Sequence, residues 1–346
     1  MNHISVAIIT HNRAKSLKDC LDSLHNQTVK PAEIIIVDNA STDDTRAVTT
    51  QFKKVLPIRY HYSAVRGYSI NRVIALNKAK NNIIAWIDDD CVAMPNWIEE
   101  TVKCSKIGRY CFQGVDIDEN LNIFSQAQNL RTKEFRMFSA NLLKRNVLVV
   151  SAQKAKQIYG VNTRITFQAI NSVDHRSFVY RKDILRQLPY LFDTNLPPYF
   201  SADEWDILRR LRGAGHTVYL NPRLRVIHKG RASFLSFVTR QIQYGKNDAI
   251  REWIDQERRK KIYRLSHFFI TQDLRRYTRT GWLFLQTDAT LIIQILRSDQ
   301  PLFNKLAIPL LFIIGKILRY MGRIHEQLTN KDLTTPYHTP LTHAVQ

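Results

Sequence analysis

The sequence predicts an α/β fold in which helices pack against a sheet of largely parallel strands. Three observations carry that reading. Apolar runs rich in Ile and Val recur at Ser5 to Thr10, Glu33 to Val37 and Ile83 to Ile87, and continuous runs of this kind mark strands buried on both faces. Segments with apolar residues at helical spacing separate them, the alternation of a parallel sheet. Each run ends in polar or acidic residues, and the carboxyl ends of such strands open onto the ligand crevice of an open α/β sheet.

In chain order, Ser5 to Thr10 is a first strand, His11-Asn12-Arg13 a polar turn, and Ala14 to Leu24 a helix. Pro31 breaks the chain before the second strand, which ends at Asp38-Asn39. Ser41-Thr42-Asp43-Asp44-Thr45 supplies helix N-cap chemistry. Ile58 to Tyr62 is a third strand, and Gly67 to Lys80 a helix with Ile70, Val73, Ile74 and Leu76 on its apolar side. It leads into Ile83 to Ile87 and the carboxylates Asp88, Asp89 and Asp90.

After Cys91, Met94 to Trp97 is a turn and Ile98 to Cys104 a short helix. Gly114 to Val161 has no clear period and is expected to form helices and loops that contact a substrate. Phe178 to Tyr180 is a strand leading to a helical Lys182 to Leu188, and Pro197-Pro198 forces an extended entry to the next segment. Ser201 to Arg212 has a cap residue, an acidic first turn and a basic end, so the helix dipole alone accounts for Asp203 and Glu204. Val218 to Leu220 and Leu224 to Ile227 are short strands closed by His228-Lys229-Gly230. From about Arg231 the chain turns helical and basic (Arg258 to Lys261, Arg275-Arg276), with apolar stretches at Trp282 to Leu285, Leu291 to Leu296 and Leu302 to Leu318. The tail beyond Thr329 is polar and expected to be loose.

The chain has 346 residues, 44% of them hydrophobic, enough for one large domain and an appendage. Lys and Arg number 51 against 30 Asp and Glu, a net charge of +21. That excess calls for an acidic partner: nucleic acid, anionic lipid or a phosphorylated substrate. No zinc-finger spacing, arginine-rich repeat or interleaved aromatic RNA motif is present, so nucleic acid is the weakest of the three. Basic residues flanking apolar helical faces favour a membrane surface, an ordinary helical subdomain with a basic exterior being the alternative. No window reaches the roughly 18 to 20 apolar residues of a membrane span; Leu306 to Ile314 comes nearest, and Pro309 interrupts it. The N-terminus lacks the apolar core of a signal peptide. Four cysteines without a CxxC pair read as buried thiols of a reducing compartment. No GxGxxG follows a strand, which counts against a dinucleotide-binding dehydrogenase.

Adjacent Asp side chains repel, and none is buried without a partner. Asp88 and Asp90, two apart, point the same way in extended chain, as a shared divalent cation requires. An acidic loop without function is the competing reading of this stretch alone.

Four segments in order, Val6 to Arg13, Ile35 to Thr45, Ile87 to Asp90 and Asp203-Glu204-Trp205-Asp206, resemble the GT-A glycosyltransferases of family two, which use nucleotide-activated sugars. The likeness runs from about Ser5 to Gly230. It implies a Rossmann-like mixed sheet flanked by helices, with a mainly α-helical C-terminal region. The domains it implies are a catalytic domain at 1–230 (nucleotide-sugar half 1–113, acceptor half 114–230), a basic amphipathic helical region at 231–328 and a flexible tail at 329–346.

Residue by residue, the resemblance implies that Thr10, Asn12, Arg13 and Asp38 hold the base and ribose. Arg72 sits where the family often has an Arg-Asn pair, Val73 replacing the Asn. Asp88, Asp89 and Asp90 match the family's DxD, with Asp90 on a Mn²⁺ or Mg²⁺ ion and Asp88 on the ribose or the metal's water shell. A divalent ion neutralises a diphosphate leaving group and suits all-oxygen ligands. The general base matches the second acid of Asp203-Glu204, a pair the family writes Glu-Asp, so either Glu204 or Asp203 takes that role. Arg176, in Asp174-His175-Arg176-Ser177, matches an Asp-Thr-Arg-Asn segment beside the donor. His228 matches a position where relatives sometimes place a metal-bound histidine, a structural histidine being the alternative.

The family's processive Gln-x-x-Arg-Trp motif is missing. Arg240 to Lys246 resembles instead the amphipathic Tyr-Gly helix of non-processive, membrane-associated members. The implied protein is an inverting transferase that moves one sugar from a UDP-, GDP- or dTDP-sugar to a glycan or lipid-linked saccharide, at the cytoplasmic face of the cell membrane. A nucleotidyltransferase, which lacks its usual Gly-rich phosphate loop here, and a catalytically silent nucleotide-sugar or membrane-binding module are the alternatives.

Overall fold

The computed structural model describes residues 4–108, 110–118, 122–127, 130, 146–170, 173–188, 192–193, 203–229, 233–262 and 289–329, without the side chains of 118, 252–262 and 327. Pro197-Pro198, the cap at Ser201, Arg275-Arg276, Trp282 to Leu285, the side chains of Arg258 to Lys261 and the tail beyond Thr329 lie outside what is described. The chain divides into two compact units, one of residues 1–119, 143–230 and 337–346, the other of residues 120–142 and 231–336.

The first unit is built on an eight-stranded mixed sheet of order β3-β2-β1-β4-β9-β6-β10-β5. Strands β1 (Ile4–Thr10), β2 (Glu33–Asn39), β3 (Ile58–Ser63) and β4 (Ile83–Trp86) run parallel. Helices α1 (Ala14–His25), α2 (Thr45–Phe52) and α3 (Tyr68–Lys78) follow the first three. Successive strand residues feed opposite faces. Val6, Ile8, Ile34 and Ile36 pack with Leu17 and Leu21 of α1; Ala7, Ile35, Val37, Ile84 and Trp86 pack with Ala75 and Leu76 of α3. Two core layers sandwich the sheet, so the middles of β1 and β2 and all of β4 are apolar, and the polar residues of β1 and β2 sit at or near the strand ends.

Beyond β4 the sheet departs from expectation. β5 (Cys91–Ala93) follows the acidic trio directly, ahead of α4 (Trp97–Ile107). Within Gly114 to Val161, expected as helices and loops, lie most of β6 (Cys111–Asp118), then β7 (Val147–Val150) and α5 (Ala152–Tyr159). β7 pairs with β8 (Ile165–Gln168) as a separate two-stranded sheet. β9 (Phe178–Arg181) runs antiparallel between β4 and β6, and α6 (Lys182–Leu185) and α7 (Asp203–Gly213) follow it. The two strands expected after α7 are one, β10 (Val218–His228), whose register shifts between Leu220 and Arg225 around Pro222. The proline removes one ladder donor and the shift absorbs it.

The second unit contains α8 (Phe234–Ile262) and α9 (Leu302–Thr329). Gly245 and Gly322 let their backbones meet: a Cβ on Gly245 would lie 1.9 Å from the Arg319 carbonyl oxygen, and one on Gly322 2.2 Å from that of Ile242. Arg319 clasps Asp248 through two guanidinium nitrogens. Pro309 lies inside α9 and does not end it. Among the described residues, no helix is long and apolar enough to cross a membrane.

Candidate active site

The carboxyl ends of β1, β2 and β4 lie side by side because these strands pair in parallel, Thr10 opposite Asp38. Both residues are buried, at 1% exposure each. The loops beyond them are tied together. Asn12, in the left-handed region at φ 51°, donates its N–H to Ser41 Oγ at 2.9 Å, and its Oδ1 accepts from Thr42 N–H at 2.7 Å. The N-cap chemistry expected of Ser41 to Thr45 comes from Asp43, which accepts from the N–H groups of both Thr45 and Ala14 and so braces α2 and α1 together. Asp38 accepts from Ser41 N–H at 2.8 Å and from the Tyr60 hydroxyl at 2.5 Å.

The acidic trio occupies a turn and not extended chain: β4 ends at Trp86, and Cys91 N–H donates to the Asp88 carbonyl at 3.1 Å. Arg13 reaches across from the first loop, its Nη1 donating to Asp89 at 2.7 Å and to Asp90 at 2.8 Å. Burial opposes the Arg13 charge, but Asp89 and Asp90 hold it protonated. Burial lifts Asp88 well above the ordinary carboxylate range, with Asp174 and Asp90 adding to it and Arg72 opposing. Asp89 is raised by burial against the pull of Arg13. His228 ends β10 opposite Cys91, and its Nε2 stands 3.7 Å from Asp90 Oδ1, beyond hydrogen-bond range.

A second cluster centres on Arg72. Sequence spacing put the apolar side of α3 at Ile70 to Leu76, yet its buried face includes Arg72 itself, at 5% exposure. Its guanidinium donates to Asp203 and stands 3.5 Å from Glu204. Burial disfavours that charge, and Asp203, Glu204 and Asp88 restore it. Burial also raises Asp203, against Arg72. Of the acidic pair, Asp203 is locked in with its side chain 1% exposed, whereas Glu204 keeps 16%.

His175, fully buried, places Nδ1 3.1 Å from Glu204 Oε1 but off the hydrogen-bond line. Burial, and then Arg72, push its pKa down to about 3, so it is neutral and the contact is no ion pair. Trp86 meets the imidazole edge-on at 5.2 Å between centroids.

Arg176 forms a third group. Its Nε donates to Asp174 at 2.7 Å and its Nη1 to Asp116 at 2.7 Å. Asp174 falls well below the ordinary range because Arg176 outweighs burial. The chain comes close here: a Cβ on Gly114 would lie 2.1 Å from Ser177 Oγ and 2.2 Å from the Leu224 carbonyl oxygen. Ser177 Oγ accepts from the Trp97 indole at 2.9 Å.

All the residues expected in the site therefore gather at one end of the sheet. Sequence reasoning missed Asp116 and Tyr60, and it named Asp174 and His175 only as neighbours of Arg176 without a role of their own. Val115-Asp116-Ile117-Asp118 does alternate, which is the signal of a half-buried strand. Each of His175, Asp203 and Glu204 offers one ligand atom within 4.8 Å of the others, the kind of cluster that holds a metal. Arg72 already supplies a cation to both of those carboxylates. Asp88 and Asp90, the pair expected to hold the divalent ion, offer oxygen donors only, and burial, then Asp174 and Asp90, raise Asp88. Among the described residues they do not bring three ligand atoms within 4.8 Å as the His175 group does.

The sequence matches the family described as glycosyl transferase family 2 over residues 5–188. The chain belongs to that family, and its fold is GT-A. It is similar to the mannosyltransferase PcManGT of Pyrobaculum calidifontis, solved with GDP-Man and Mn2+, at a TM-score of 0.58 and 14% identity over 95% of this chain and 88% of that one. In sequence it is 33% identical to the chondroitin synthase of Escherichia coli over 99 residues, 28% of this chain and 14% of that protein. It is 27% identical to an uncharacterized glycosyltransferase of Methanocaldococcus jannaschii over 200 residues, 53% of this chain and 68% of that protein. The matched stretch spans under a fifth of the length of the chondroitin synthase.

Proposed function

We propose that this protein is an inverting glycosyltransferase that moves one sugar from a nucleotide-sugar to a hydroxyl of a glycan or lipid-linked saccharide. The observation that carries the reading is the division of labour within Asp203-Glu204. Arg72 buries and neutralises Asp203, leaving Glu204 the more exposed acid, with Arg72 also close enough to influence Asp88 at the end of β4. Glu204 takes the acceptor hydroxyl proton as that oxygen bonds to the anomeric carbon. The bond from that carbon to the diphosphate breaks on the opposite face, and the nucleoside diphosphate leaves with the electron pair.

Thr10, Asn12, Asp38 and Arg13 bind the nucleotide in this reading, and Arg176, fixed by Asp174 and Asp116, faces the diphosphate or sugar. Asp90 and Asp88, with His228 beside Asp90, would hold a Mn²⁺ or Mg²⁺ ion, which supplies charge neutralisation for the leaving group. An anionic membrane surface at the inner face of the cell membrane is the further partner, supported by the charge of +21.

The test is thermal unfolding with UDP-, GDP- and dTDP-sugars, with and without Mn²⁺, joined to a turnover assay. A donor at a hundred times its dissociation constant stabilises by about 2.7 kcal/mol. The expected pattern is a shift with one nucleotide class plus metal, lost in Asp90→Asn. Glu204→Gln should keep that shift and lose turnover by about 10²- to 10⁴-fold. Undiminished turnover in Glu204→Gln, or no shift with any donor, would overturn the reading.

A further inference from the structure

Helix α9 buries only one side. Phe237, Leu291, Ile308 and Phe312 form the core of the second unit together with Ala127 and Leu130. On its other side Leu306, Leu310, Ile313, Ile317, Tyr320 and Ile324 are between 38% and 62% exposed. Phe303 and Leu328 extend the row at its two ends, at 70% and 64% exposure. At the α-helical rotation these positions fall within about 100° of arc and run for about 38 Å. Scattered apolar residues on a surface need no explanation, but a continuous face of this length does.

We propose that this face of α9 docks on the surface of an anionic lipid bilayer. The proposal names the element behind the membrane partner suggested above, and it stands independently of the sugar chemistry. The charges select the occupant. The only acidic residue of α9, Glu326, is buried at 1% exposure. Lys305, Lys316 and Arg323 fall along one edge of the apolar row at the same helical rotation. Residues 231–328 as a whole carry 17 Lys and Arg against 8 Asp and Glu. An apolar face with a basic border is the pattern of a helix lying in the headgroup region, where Lys and Arg meet lipid phosphates.

A second copy of the chain fits less well. A coiled-coil seam is narrower, about two positions in seven, and is bordered by charges of both signs that pair between helices. Here one border carries a single sign. No described helix is long and apolar enough to span a bilayer, so α9 would lie along the surface and not cross it.

The full chain should co-sediment with vesicles of phosphatidylcholine and phosphatidylglycerol, weaken steeply with salt, and bind pure phosphatidylcholine vesicles far less. Placing two carboxylates in the face, Ile313→Asp with Ile317→Asp, should lower the partition coefficient by more than about tenfold. Both side chains are exposed in the fold, and unchanged circular dichroism would confirm that the helices persist. Ile313→Ser with Ile317→Ser serves as a milder pair that should weaken binding in the same direction. Unchanged vesicle binding in both pairs, or no binding by the wild type, overturns the proposal. So does a wild-type dimer in sedimentation velocity that the same substitutions dissociate, since a second copy then covers the face. Failure of the transferase reading is distinguishable, because it removes the donor-induced thermal shift and leaves vesicle binding intact.

Discussion

Arg72, on the helix that leads into the acidic strand, pairs with Asp203, which opens a helix 131 positions later in the chain. The contact fixes one acid of Asp203-Glu204 and leaves the other the more accessible. It also closes the first half of the sheet onto the second, since α3 packs beside β2 and β1 while α7 follows β9.

Replacing Arg72 with Met should therefore destabilise the first unit strongly. The charge of Asp203 would remain buried without its partner, a loss of about 3 to 5 kcal/mol. Removing both charges, as Arg72→Met with Asp203→Leu, should cost much less than the sum of the single changes. Urea unfolding of the four proteins measures the coupling. Simple additivity would mean that the pair contributes nothing specific.

The first half of the sheet was legible because β1, β2 and β4 are continuous apolar runs punctuated by polar turns. β6 was not, because Gln113, Gly114, Asp116 and Asp118 interrupt its apolar residues. Two of them meet candidate site residues: Asp116 anchors Arg176, and Gly114 admits Ser177. Local sequence carries no record of such long-range partners. In the same way the carboxylates were visible from their placement at strand ends, while the bridge from Arg13 to Asp89 and Asp90 depends on the loop after β1 folding over the end of β4. His175 was named only as a neighbour of Arg176, because its approach to Glu204 joins segments 29 positions apart and leaves no local pattern.

His175 makes stability depend on pH in a defined window. Its folded pKa, about 3, lies below the unfolded value near 6.5. Below pH 6.5 the unfolded chain therefore binds a proton that the folded chain refuses. The stability due to neutral His175 is fully present above that pH and declines as pH falls toward 3, by up to about 5 kcal/mol. The difference between wild type and His175→Gln, measured by denaturant unfolding from pH 7.5 to 4, should narrow steadily on acidification. Parallel curves would show that His175 does not titrate this way. In the transferase reading His175→Gln should also shift the acidic limb of the kcat/KM profile, through the carboxylate of Glu204.

Gly114 and Gly213 form a matched contrast. A methyl at Gly114 meets the Leu224 backbone at 2.2 Å, whereas one at Gly213 meets nothing within 4 Å. Gly114→Ala should cost about 1 to 3 kcal/mol by overpacking β6 against β10. Gly213→Ala, at the last residue of α7, should be neutral or stabilise by up to about 1 kcal/mol. Thermal melts of the two variants decide it. A tolerated Gly114→Ala would mean that β6 and β10 separate more easily than their contact implies.

Arg13 holds a positive charge against Asp89 and Asp90, the position a divalent ion would share through Asp90. Its removal has two opposed consequences. The metal-free protein loses a partner from two largely buried carboxylates, so Arg13→Gln should lower its melting temperature. The carboxylates left behind are more attractive to a cation, so the stabilisation gained on adding MnCl2 without nucleotide should grow relative to wild type. Melting curves across a MnCl2 titration read both effects at once, and Asp90→Asn in the Arg13→Gln background should remove the gain. If Arg13→Gln instead loses its response to Mn²⁺, then Arg13 organises the carboxylates for the ion. In that case the bridge seen between the two loops is the binding-competent arrangement, with no competition between arginine and metal.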